Sequence, residues 1–407
     1  MKNKRPDPFG GRAGLGLYIH IPFCVRKCAY CDFLSFPSDE AARRAYTSAL
    51  VREIRLRGNC LRENDSGDYD RLRPVTSVFL GGGTPTVLEP DCLRDIFEAV
   101  YSSFDVAEDA EISMEMNPGT DRPELDDIIQ NYVNRISLGL QSFRDSELKE
   151  LGRIHTKDDF LRTYEHLKGL KACRLNVDLM SALPGQTVAS WVETLRSVSD
   201  LNPGHISAYS LIIEEGTPFA ARAAEGKLAL PDEESERAMY EVTEEVLSER
   251  GYHRYEISNY AKKGEECRHN LLYWTMGEYL GAGLGASSFL NGTRFRNTAS
   301  LPRYLELLSD SHAASSRGST FPWVEESHCL SREELMEETL FLGLRLTEGV
   351  SAGRFEERFG QTLDDIYGGV IERHVRDGLI RRTDDGIALT KRGLDISNTV
   401  MADYLLG

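Results

Sequence analysis

The chain has 407 residues, of which 41% are hydrophobic and 28% are charged, a composition typical of a folded globular protein. Its formal net charge of −17 disfavours nucleic acid and anionic membrane surfaces as partners. The N-terminal residues lack the apolar stretch of a secretory signal, and no window approaches the roughly 20 apolar residues of a transmembrane helix. We therefore expect a cytoplasmic protein without a transmembrane segment, which leaves transient membrane association open.

Short β-branched runs alternate with helical patterns from Gly16 to about Ile213. The predicted strands are Leu17–Ile21, Ser77–Leu80, Glu111–Met116, Arg135–Leu140, Leu175–Met180 and Ile206–Ile212. The helices predicted between them are Ala41–Arg57, Asp91–Tyr101, Asp158–Leu170 and Ala189–Ser199. This rhythm is typical of parallel strands joined by right-handed crossovers. It predicts an α/β fold with a partial (βα)6 TIM-like barrel, and a doubly wound sheet is the alternative.

The second half of the chain predicts a smaller domain. A helix is expected over Asp232–Arg250, followed by a segment without clear period to about Asn297. Further helices are expected at Arg332–Leu346, Gly353–Phe359 and Val370–Arg382, before a tight hairpin at Thr383–Thr390. We expect a barrel core over 1–230, its extension over 231–308, a linker or loop over 309–331, and a C-terminal winged-helix-like α+β domain over 332–407. The acidic balance of the chain favours protein docking over nucleic-acid binding by this domain.

Cys24, Cys28 and Cys31 follow the first predicted strand, whereas the other cysteines are scattered singly. Clustered cysteines in a cytosolic chain more often bind metal than form disulfides. Thiolates at this spacing can wrap a loop around an iron–sulfur cluster, and three ligands for four irons leave one iron open. The two basic residues before Cys28 are expected to lower the thiol pKa values. Structural zinc held with His20 is the alternative, but the position after a barrel strand favours a [4Fe–4S] cluster.

Turn-forming or polar residues follow the next four strands. They are Gly81–Pro85, Asn117–Pro118, Gln141–Ser142 and Leu183–Gly185. Because parallel α/β folds build active sites at the carboxyl ends of their strands, we expect one site assembled from several loops.

The C-x3-C-x2-C motif after the first strand of a βα barrel resembles the radical SAM superfamily. Four further motifs of the chain resemble those of the coproporphyrinogen III oxidase-like branch of this superfamily. They are Glu115-Met-Asn-Pro, Gln141-Ser-Phe, Gly-Arg153-x-His and Asn-x-Asp178-Leu. The resemblance implies that the open iron binds S-adenosylmethionine, whose reductive cleavage yields a 5′-deoxyadenosyl radical. The S-adenosylmethionine contacts that it implies are Tyr18, Tyr30, Gly82, Gly83, Thr84, Glu115, Gln141, Arg153 and Asp178.

Two features separate the activities within this branch. The oxidase motif continues with a cysteine two positions after the third, where this chain has Phe33. The segment from Cys267 to Trp274 contains H-N-x-x-Y-W, which is associated with heme binding in the heme-chaperone group of the branch. Imidazole suits iron and flat aromatic faces suit a porphyrin, while a packed, hydrogen-bonded histidine is the structural alternative. The implied heme contacts are His269, Asn270, Tyr273 and Trp274.

These observations predict a radical SAM-type heme chaperone. It would bind a [4Fe–4S] cluster, S-adenosylmethionine and heme, and would deliver heme to an acceptor protein that the sequence does not identify. No catalytic residue is assigned, because net catalysis is not required for this role. The enzymatic alternative is an oxygen-independent coproporphyrinogen III oxidase, which performs a radical oxidative decarboxylation.

Overall fold

The computed structural model describes residues 14–63, 73–170, 173–309 and 321–406. The first part contains, in chain order, β1 (Leu15–Ile21), α1 (Glu40–Glu63), β2 (Val75–Gly82), α2 (Pro90–Ser103), β3 (Val106–Met116), α3 (Asp126–Tyr132), β4 (Arg135–Gln141), α4 (Asp145–Glu150), α5 (Lys157–Gly169), β5 (Arg174–Ser181), α6 (Val188–Asp200) and β6 (His205–Ser210). Short 3-10 turns precede α2 and α3, at Pro85–Val87 and Pro123–Leu125.

The remaining elements form an extension and a small domain. The extension contains α7 (Pro218–Ala224), α8 (Glu233–Glu249), β7 (His253–Arg254), β8 (Asn259–Ala261), α9 (Arg268–Trp274), β9 (Tyr279–Ala282), β10 (Ser287–Leu290), β11 (Thr293–Asn297), α10 (Leu301–Leu307) and β12 (Val324–Cys329). The small domain contains α11 (Arg332–Gly343), β13 (Val350–Ser351), α12 (Ala352–Phe359), α13 (Leu363–Arg376), β14 (Ile380–Arg382), β15 (Gly386–Leu389), α14 (Lys391–Asp395) and α15 (Ser397–Ala402). Among the described residues, no helix is both long and apolar enough to cross a bilayer.

Strands β1 to β6 lie side by side in sequence order, and each neighbouring pair is parallel. Sequential order with right-handed crossovers carries every connecting helix to the same face of the sheet. A doubly wound sheet would instead reverse direction at a switch point, so this order excludes that alternative. The α/β partial-barrel prediction is confirmed.

Both edges of the parallel strands are extended. Strand β9 pairs parallel to β1 and is followed outward by antiparallel β10, β11 and β12, while β8 and β7 follow β6 in antiparallel pairing. Within the part of the chain that the structure describes, the sheet ends at β12 and β7, so the barrel is open. Strands β7 to β11 occupy the segment that has no clear period in the sequence, and β12 lies in the predicted linker.

The inner and outer faces of β3 to β6 have opposite polarity. Alternate residues face the barrel interior, and most of these are polar: Glu115, Arg135, Ser137, Asn176, Asp178, His205 and Ser207. The residues between them are buried and apolar, and include Ile136, Leu138, Val177, Leu179 and Ile206. Because side chains alternate across a strand, this period-two pattern builds a polar cavity inside an apolar shell.

The expected linker over 309–331 differs from the structure where residues are described. Residues 310–320 lie outside the described part, but Val324–Cys329 form a strand that pairs antiparallel with β11. Trp323 is completely buried, and its indole Nε1 donates to the carboxylate of Glu53 on α1 at 3.0 Å. The segment therefore belongs to the packed sheet from residue 321 onward. Ser327 and His328, two of the polar residues that predicted a loop, are exposed positions of this edge strand.

The small domain combines helices with a three-stranded sheet in the order β13-β15-β14. The predicted helix over Val370–Arg382 is wrong in its bounds, because α13 ends at Arg376 and Gly378 adopts φ +70°. Ile380–Arg382 instead pair with β15 as one strand of the hairpin. Arg382 lies within 2.7 Å of both Asp364 and Glu372, so its charge is balanced inside the domain.

Candidate functional site

A cavity of about 510 Å³ runs through the interior of the barrel. Cys24, Cys28 and Cys31 line it where the parallel strands end, and Arg135 and His205 line it where strands β4 and β6 begin. It is thus open to loops at one end and closed by polar strand residues at the other. This is the edge at which the sequence predicts a composite site.

The cysteine loop is fixed by backbone hydrogen bonds to other parts of the barrel. The N–H of Cys24 donates to Phe36 O at 3.1 Å, and the N–H of Ala29 donates to Leu151 O at 3.0 Å. All three thiols are free and partly exposed. Three free thiols from one anchored loop that line one cavity fit the donor set of an iron–sulfur cluster.

The two basic residues of this loop donate hydrogen bonds to backbone carbonyls around the cysteines. Lys27 Nζ donates to Phe33 O at 2.9 Å, and Arg26 Nη2 donates to Gly152 O at 2.9 Å. Burial, the largest influence, raises the pKa of the Cys31 thiol, and the charge of Lys27 offsets this only slightly. The expected lowering by Lys27 is thus present at Cys31, but it is smaller than the effect of burial. The hydrogen bonds of Lys27 and Arg26 also brace the loop.

His20 is not available as a fourth ligand for zinc in this arrangement. Its Nε2 lies 2.9 Å from Leu34 O and its Nδ1 lies 3.0 Å from the hydroxyl of Tyr18, so both ring nitrogens are engaged. Burial also lowers the pKa of this imidazole. No three or more His, Cys, Asp or Glu side chains within the described ranges are arranged to hold a single metal ion. The geometry therefore gives no support to the zinc alternative.

The glycine loop after β2 approaches the cysteine loop closely. Gly82 adopts φ +104°, and a Cβ there would lie 2.2 Å from the ring of His20. A Cβ on Gly83 would lie 2.5 Å from Phe23 O. Only glycine fits such contacts, so these residues hold the two loops together beside the cavity.

The predicted S-adenosylmethionine contacts converge on this cavity, with one exception. Those that line it are Tyr18, Tyr30, Gly82, Gly83, Glu115, Gln141, Arg153 and Asp178. Thr84 instead lies behind the cysteine loop, with its hydroxyl 3.6 Å from Cys24 Sγ. Whether these side chains bind S-adenosylmethionine stays a prediction.

Two half-buried carboxyl groups, those of Glu115 and Asp178, line the same cavity. Glu115 accepts from the N–H of Gly82 at 2.9 Å, and Asp178 accepts from Ser137 and Asn176 at 2.7 Å each. Burial and the charge of Asp178 raise the pKa of Glu115 to about 8. Burial also raises the pKa of Asp178. A cationic ligand would favour the ionised form of both carboxyl groups, so this wall is suited to a positively charged group.

His269 lies at the opposite end of the barrel from the cysteines, next to the start of β2. It is 1% exposed, and its ring nitrogens contact Ser77 Oγ at 2.9 Å and the hydroxyl of Tyr273 at 2.8 Å. Its ring stacks on Phe79 with centroids 5.3 Å apart, and burial lowers its pKa to about 4. A ligand at His269 would have to displace one of these two hydrogen bonds.

The H-N-x-x-Y-W residues are divided between two cavities. His269, Asn270 and Tyr273 line the barrel cavity, whereas Tyr273 and Trp274 line a second one of about 430 Å³ beside β9. Trp274 Nε1 is buried and has no hydrogen-bond partner among the described residues. The four predicted heme contacts therefore do not form one surface, and heme binding by them stays a prediction.

Two further residues shape the site, and the sequence pointed to only one of them, Asn117. Glu111 is completely buried and accepts from the backbone N–H groups of Arg268 and His269 at 3.2 Å each, which holds the start of α9. Asn117, which the sequence places among the residues that follow the third strand, bridges Thr84 and Arg153. For Glu111 the available signal was a polar residue alternating with apolar ones in a predicted buried strand.

Comparisons with known proteins agree with this geometry. The family profile of the Radical SAM superfamily matches residues 18–198, and that of the HemN C-terminal domain matches residues 330–396. The heme chaperone HemW of Bacillus subtilis is 35% identical over 95% of this chain and 98% of its own. HemW of Escherichia coli is 39% identical over 70% of this chain and 73% of its own.

A solved structure shares the fold across both parts of the molecule. The radical SAM enzyme coproporphyrinogen III oxidase (HemN) of Escherichia coli matches with a TM-score of 0.80. The match covers 97% of this chain and 90% of that one at 22% sequence identity. At this identity the likeness establishes the architecture of barrel and C-terminal domain.

Proposed function

Because the chain belongs to the radical SAM superfamily, in its HemN-like branch, and is most like HemW, we propose that it is a heme chaperone. In this role it binds a [4Fe–4S] cluster, S-adenosylmethionine and heme, and it transfers heme to an acceptor protein. The observation that carries the proposal is the similarity to a heme chaperone over nearly the full length of both chains. The proposal also places the protein in the cytoplasm.

Cys24, Cys28 and Cys31 are the proposed cluster ligands. They are free thiols on one loop and line one cavity. When bound there, a cluster with an open iron supplies a coordination site and an electron for S-adenosylmethionine. Backbone hydrogen bonds and the bond from Lys27 to Phe33 O hold the loop without using the sulfur atoms as partners.

The buried wall of the cavity is the proposed site of S-adenosylmethionine. The carboxyl groups of Glu115 and Asp178 are suited to its cationic groups, and the guanidinium of Arg153 is suited to its carboxylate. Tyr30 supplies a ring on the side of the cavity formed by Leu151, Met180 and Phe219. Burial raises the pKa of Tyr30, which keeps the phenol neutral beside the ligand.

Heme is proposed to contact the α9 segment. His269, Asn270, Tyr273 and Trp274 supply an imidazole, an amide and two aromatic faces on one short helix. Because His269 Nε2 is hydrogen-bonded to Tyr273, binding of heme iron through that nitrogen would require the tyrosine hydroxyl to move. Replacing that hydroxyl should therefore change heme affinity even if it is not itself a ligand.

The direct test is anaerobic reconstitution followed by quantification of iron, sulfide and heme in the same sample. We expect a heme Soret band in the loaded protein that weakens in His269→Ala and persists in His253→Ala, a matched control at a half-exposed histidine. A heme-free acceptor such as apomyoglobin should gain heme from the loaded chain. Equal heme affinity in both variants would contradict the role of the α9 segment, and absence of transfer would contradict the chaperone role.

The enzymatic alternative is distinguished by a product. Phe33, at the position of the additional cysteine of the oxidase motif, is 60% exposed at the mouth of the cavity. Incubation of the loaded protein with coproporphyrinogen III, S-adenosylmethionine and a reductant should yield no decarboxylated product. Formation of such a product would establish the oxidase activity instead.

A further inference from the structure

A chain of hydrogen bonds connects two of the three cysteines through Asn117. Arg153 Nη1 lies 3.5 Å from Cys28 Sγ, and its Nη2 donates to Asn117 Oδ1. Asn117 Nδ2 donates to Thr84 Oγ1 at 2.7 Å, and that hydroxyl lies 3.6 Å from Cys24 Sγ. Asn117 contacts neither sulfur atom, but it orients Thr84 and Arg153, which do contact them.

The donors and acceptors of this chain can be arranged in only one direction. A guanidinium has donors only, so the amide of Asn117 must turn its oxygen to Arg153 and its NH2 group to Thr84. The Thr84 oxygen then accepts from Asn117, which leaves the hydroxyl hydrogen for the sulfur of Cys24. Thr84 is 2% exposed, so water does not compete for this hydrogen.

The backbone of β4 leaves space for this arrangement. A Cβ on Gly139 would lie 3.0 Å from Asn117 Oδ1 and 3.4 Å from Arg153 Nη2. The carbonyl of Gly139 also accepts from Arg153 Nη2 at 2.6 Å. Two acceptors therefore hold Arg153 Nη2, and this leaves Nη1 directed at Cys28 Sγ.

Hydrogen bonds to the sulfur ligands of an iron–sulfur cluster stabilise its more negative, reduced form and so raise its reduction potential. We propose that Asn117 is a positioning residue that sets the reduction potential of the cluster, by aligning Thr84 on Cys24 and Arg153 on Cys28. This inference rests on the proposed function, which assigns the cluster to the three cysteines.

The test is a potentiometric titration of the reconstituted full-length protein under anaerobic conditions, with the reduced cluster followed by EPR. Thr84→Val removes the hydroxyl at nearly constant volume and should shift the midpoint potential to a more negative value. Thr84→Ser retains the hydroxyl and should restore the wild-type potential. Thr86→Val is the matched control, because Thr86 is equally buried but pairs with Thr120 at 2.6 Å and with no cysteine.

Asn117→Leu should shift the potential at least as far as Thr84→Val, since it removes the hydrogen bond that orients Thr84 and one of the two that orient Arg153. Adding Thr84→Val to it should produce little further shift, because the two changes remove the same hydrogen bond. If a leucine variant does not retain iron, the comparison of Thr84→Val with Thr84→Ser decides the question. Wild-type potentials in Thr84→Val and Asn117→Leu at normal iron and sulfide content would overturn the inference. Failure of the wild-type protein to take up iron and sulfide would instead overturn the cluster assignment.

Discussion

Glu115 lies in the barrel interior, where its carboxyl group faces the charge of Asp178 and accepts one backbone hydrogen bond, from Gly82. Burial and that charge raise its pKa from an ordinary 4.5 to about 8. Between these values the folded protein holds a proton that the unfolded chain releases. Stability must therefore fall as the pH rises through this window, by about 1.4 kcal/mol for each pH unit.

Glu115→Gln should remove this dependence. The amide can still accept from the N–H of Gly82, and it carries no charge that burial penalises. We expect the variant to be more stable than the wild-type protein by a few kcal/mol at pH 9, with the difference shrinking toward pH 5. Urea denaturation at pH 5, 7 and 9 measures this. Glu108→Gln, on the exposed part of the same strand, is the control, and the same pH dependence in both variants would contradict the argument.

Helix α9 is short and depends on one buried carboxylate at its start. Glu111 accepts from two backbone N–H groups of the first turn, and the thiol of Cys267 donates to it at 3.4 Å. Arg174 lies 3.3 Å from the same carboxylate. An acidic group at a helix N-terminus is favourable because unpaired N–H groups and the helix dipole point toward it.

Replacing Glu111 with alanine should lower the free energy of unfolding by about 3–5 kcal/mol, the usual cost of breaking a buried charged network. The loss should be local as well as global, so amide exchange in residues 268–274 should increase more than in α5. Hydrogen exchange followed by mass spectrometry measures both regions. Glu108→Ala is the matched control, and unchanged protection of α9 would refute the role of Glu111.

His166 on α5 connects two neighbouring acidic residues. Its Nδ1 lies 2.9 Å from Asp121 and its Nε2 lies 3.1 Å from Asp126. These hydrogen bonds raise its pKa above 6.5. A histidine with a raised pKa contributes its full stabilisation below the unfolded value, and the contribution disappears as the pH rises through the folded value.

His166→Gln should therefore destabilise the protein at pH 6 and have less effect at pH 9. Because the His166 side chain is 30% exposed, solvent screening limits the difference in free energy of unfolding between variant and wild-type protein to about 1 kcal/mol. Urea unfolding at the two pH values checks the sign. Lys168→Gln, on the exposed side of the same helix, should give the same small change at both pH values. A larger loss of unfolding free energy in His166→Gln at pH 9 than at pH 6 would contradict the argument.

At the level of elements, the sequence predicts what is periodic and misses what depends on distant contacts. The six parallel strands are visible because β-branched runs alternate with amphipathic helices. Strand β9 cannot be recognised in this way, because Gly281 interrupts its apolar pattern. The glycine is required because a Cβ there would lie 2.2 Å from Ser287 O, a contact that exists only in the folded sheet. The site follows the same division. The cysteine motif is local and could be predicted. Glu111 and Asn117 instead form hydrogen bonds with residues that are distant in the sequence, and the pattern around them does not reveal those partners.

On the scale of the whole molecule, the two proposed sites lie at opposite ends of the barrel. The cysteines lie where the parallel strands finish, and His269 lies where they begin. A heme bound at α9 would therefore be separated from the cluster by the length of the barrel interior. In that arrangement the cluster and S-adenosylmethionine would influence heme through the polar residues between them, not by direct contact.

The C-terminal domain is attached to this second end. Arg345, just after α11, lies over the ring of Trp274 at 4.3 Å, and its guanidinium is 3.9 Å from the buried Glu256. Beyond it, the N–H of Thr347 donates to Tyr255 O at 3.0 Å. The domain thus holds the last residue of α9 in place, and its docking should be coupled to that helix.

Arg345→Met retains the length of the side chain but removes the charge and the contact of the guanidinium with Trp274. We expect the domain to loosen, so that amide exchange in residues 332–406 and in α9 increases together while α5 is unaffected. Calorimetry should show the domain unfolding earlier than the barrel. Arg354→Met, an exposed arginine of the same domain, is the control. If exchange rises in the domain alone, the docking of the domain and the order of α9 are independent, and the proposed coupling between them is wrong.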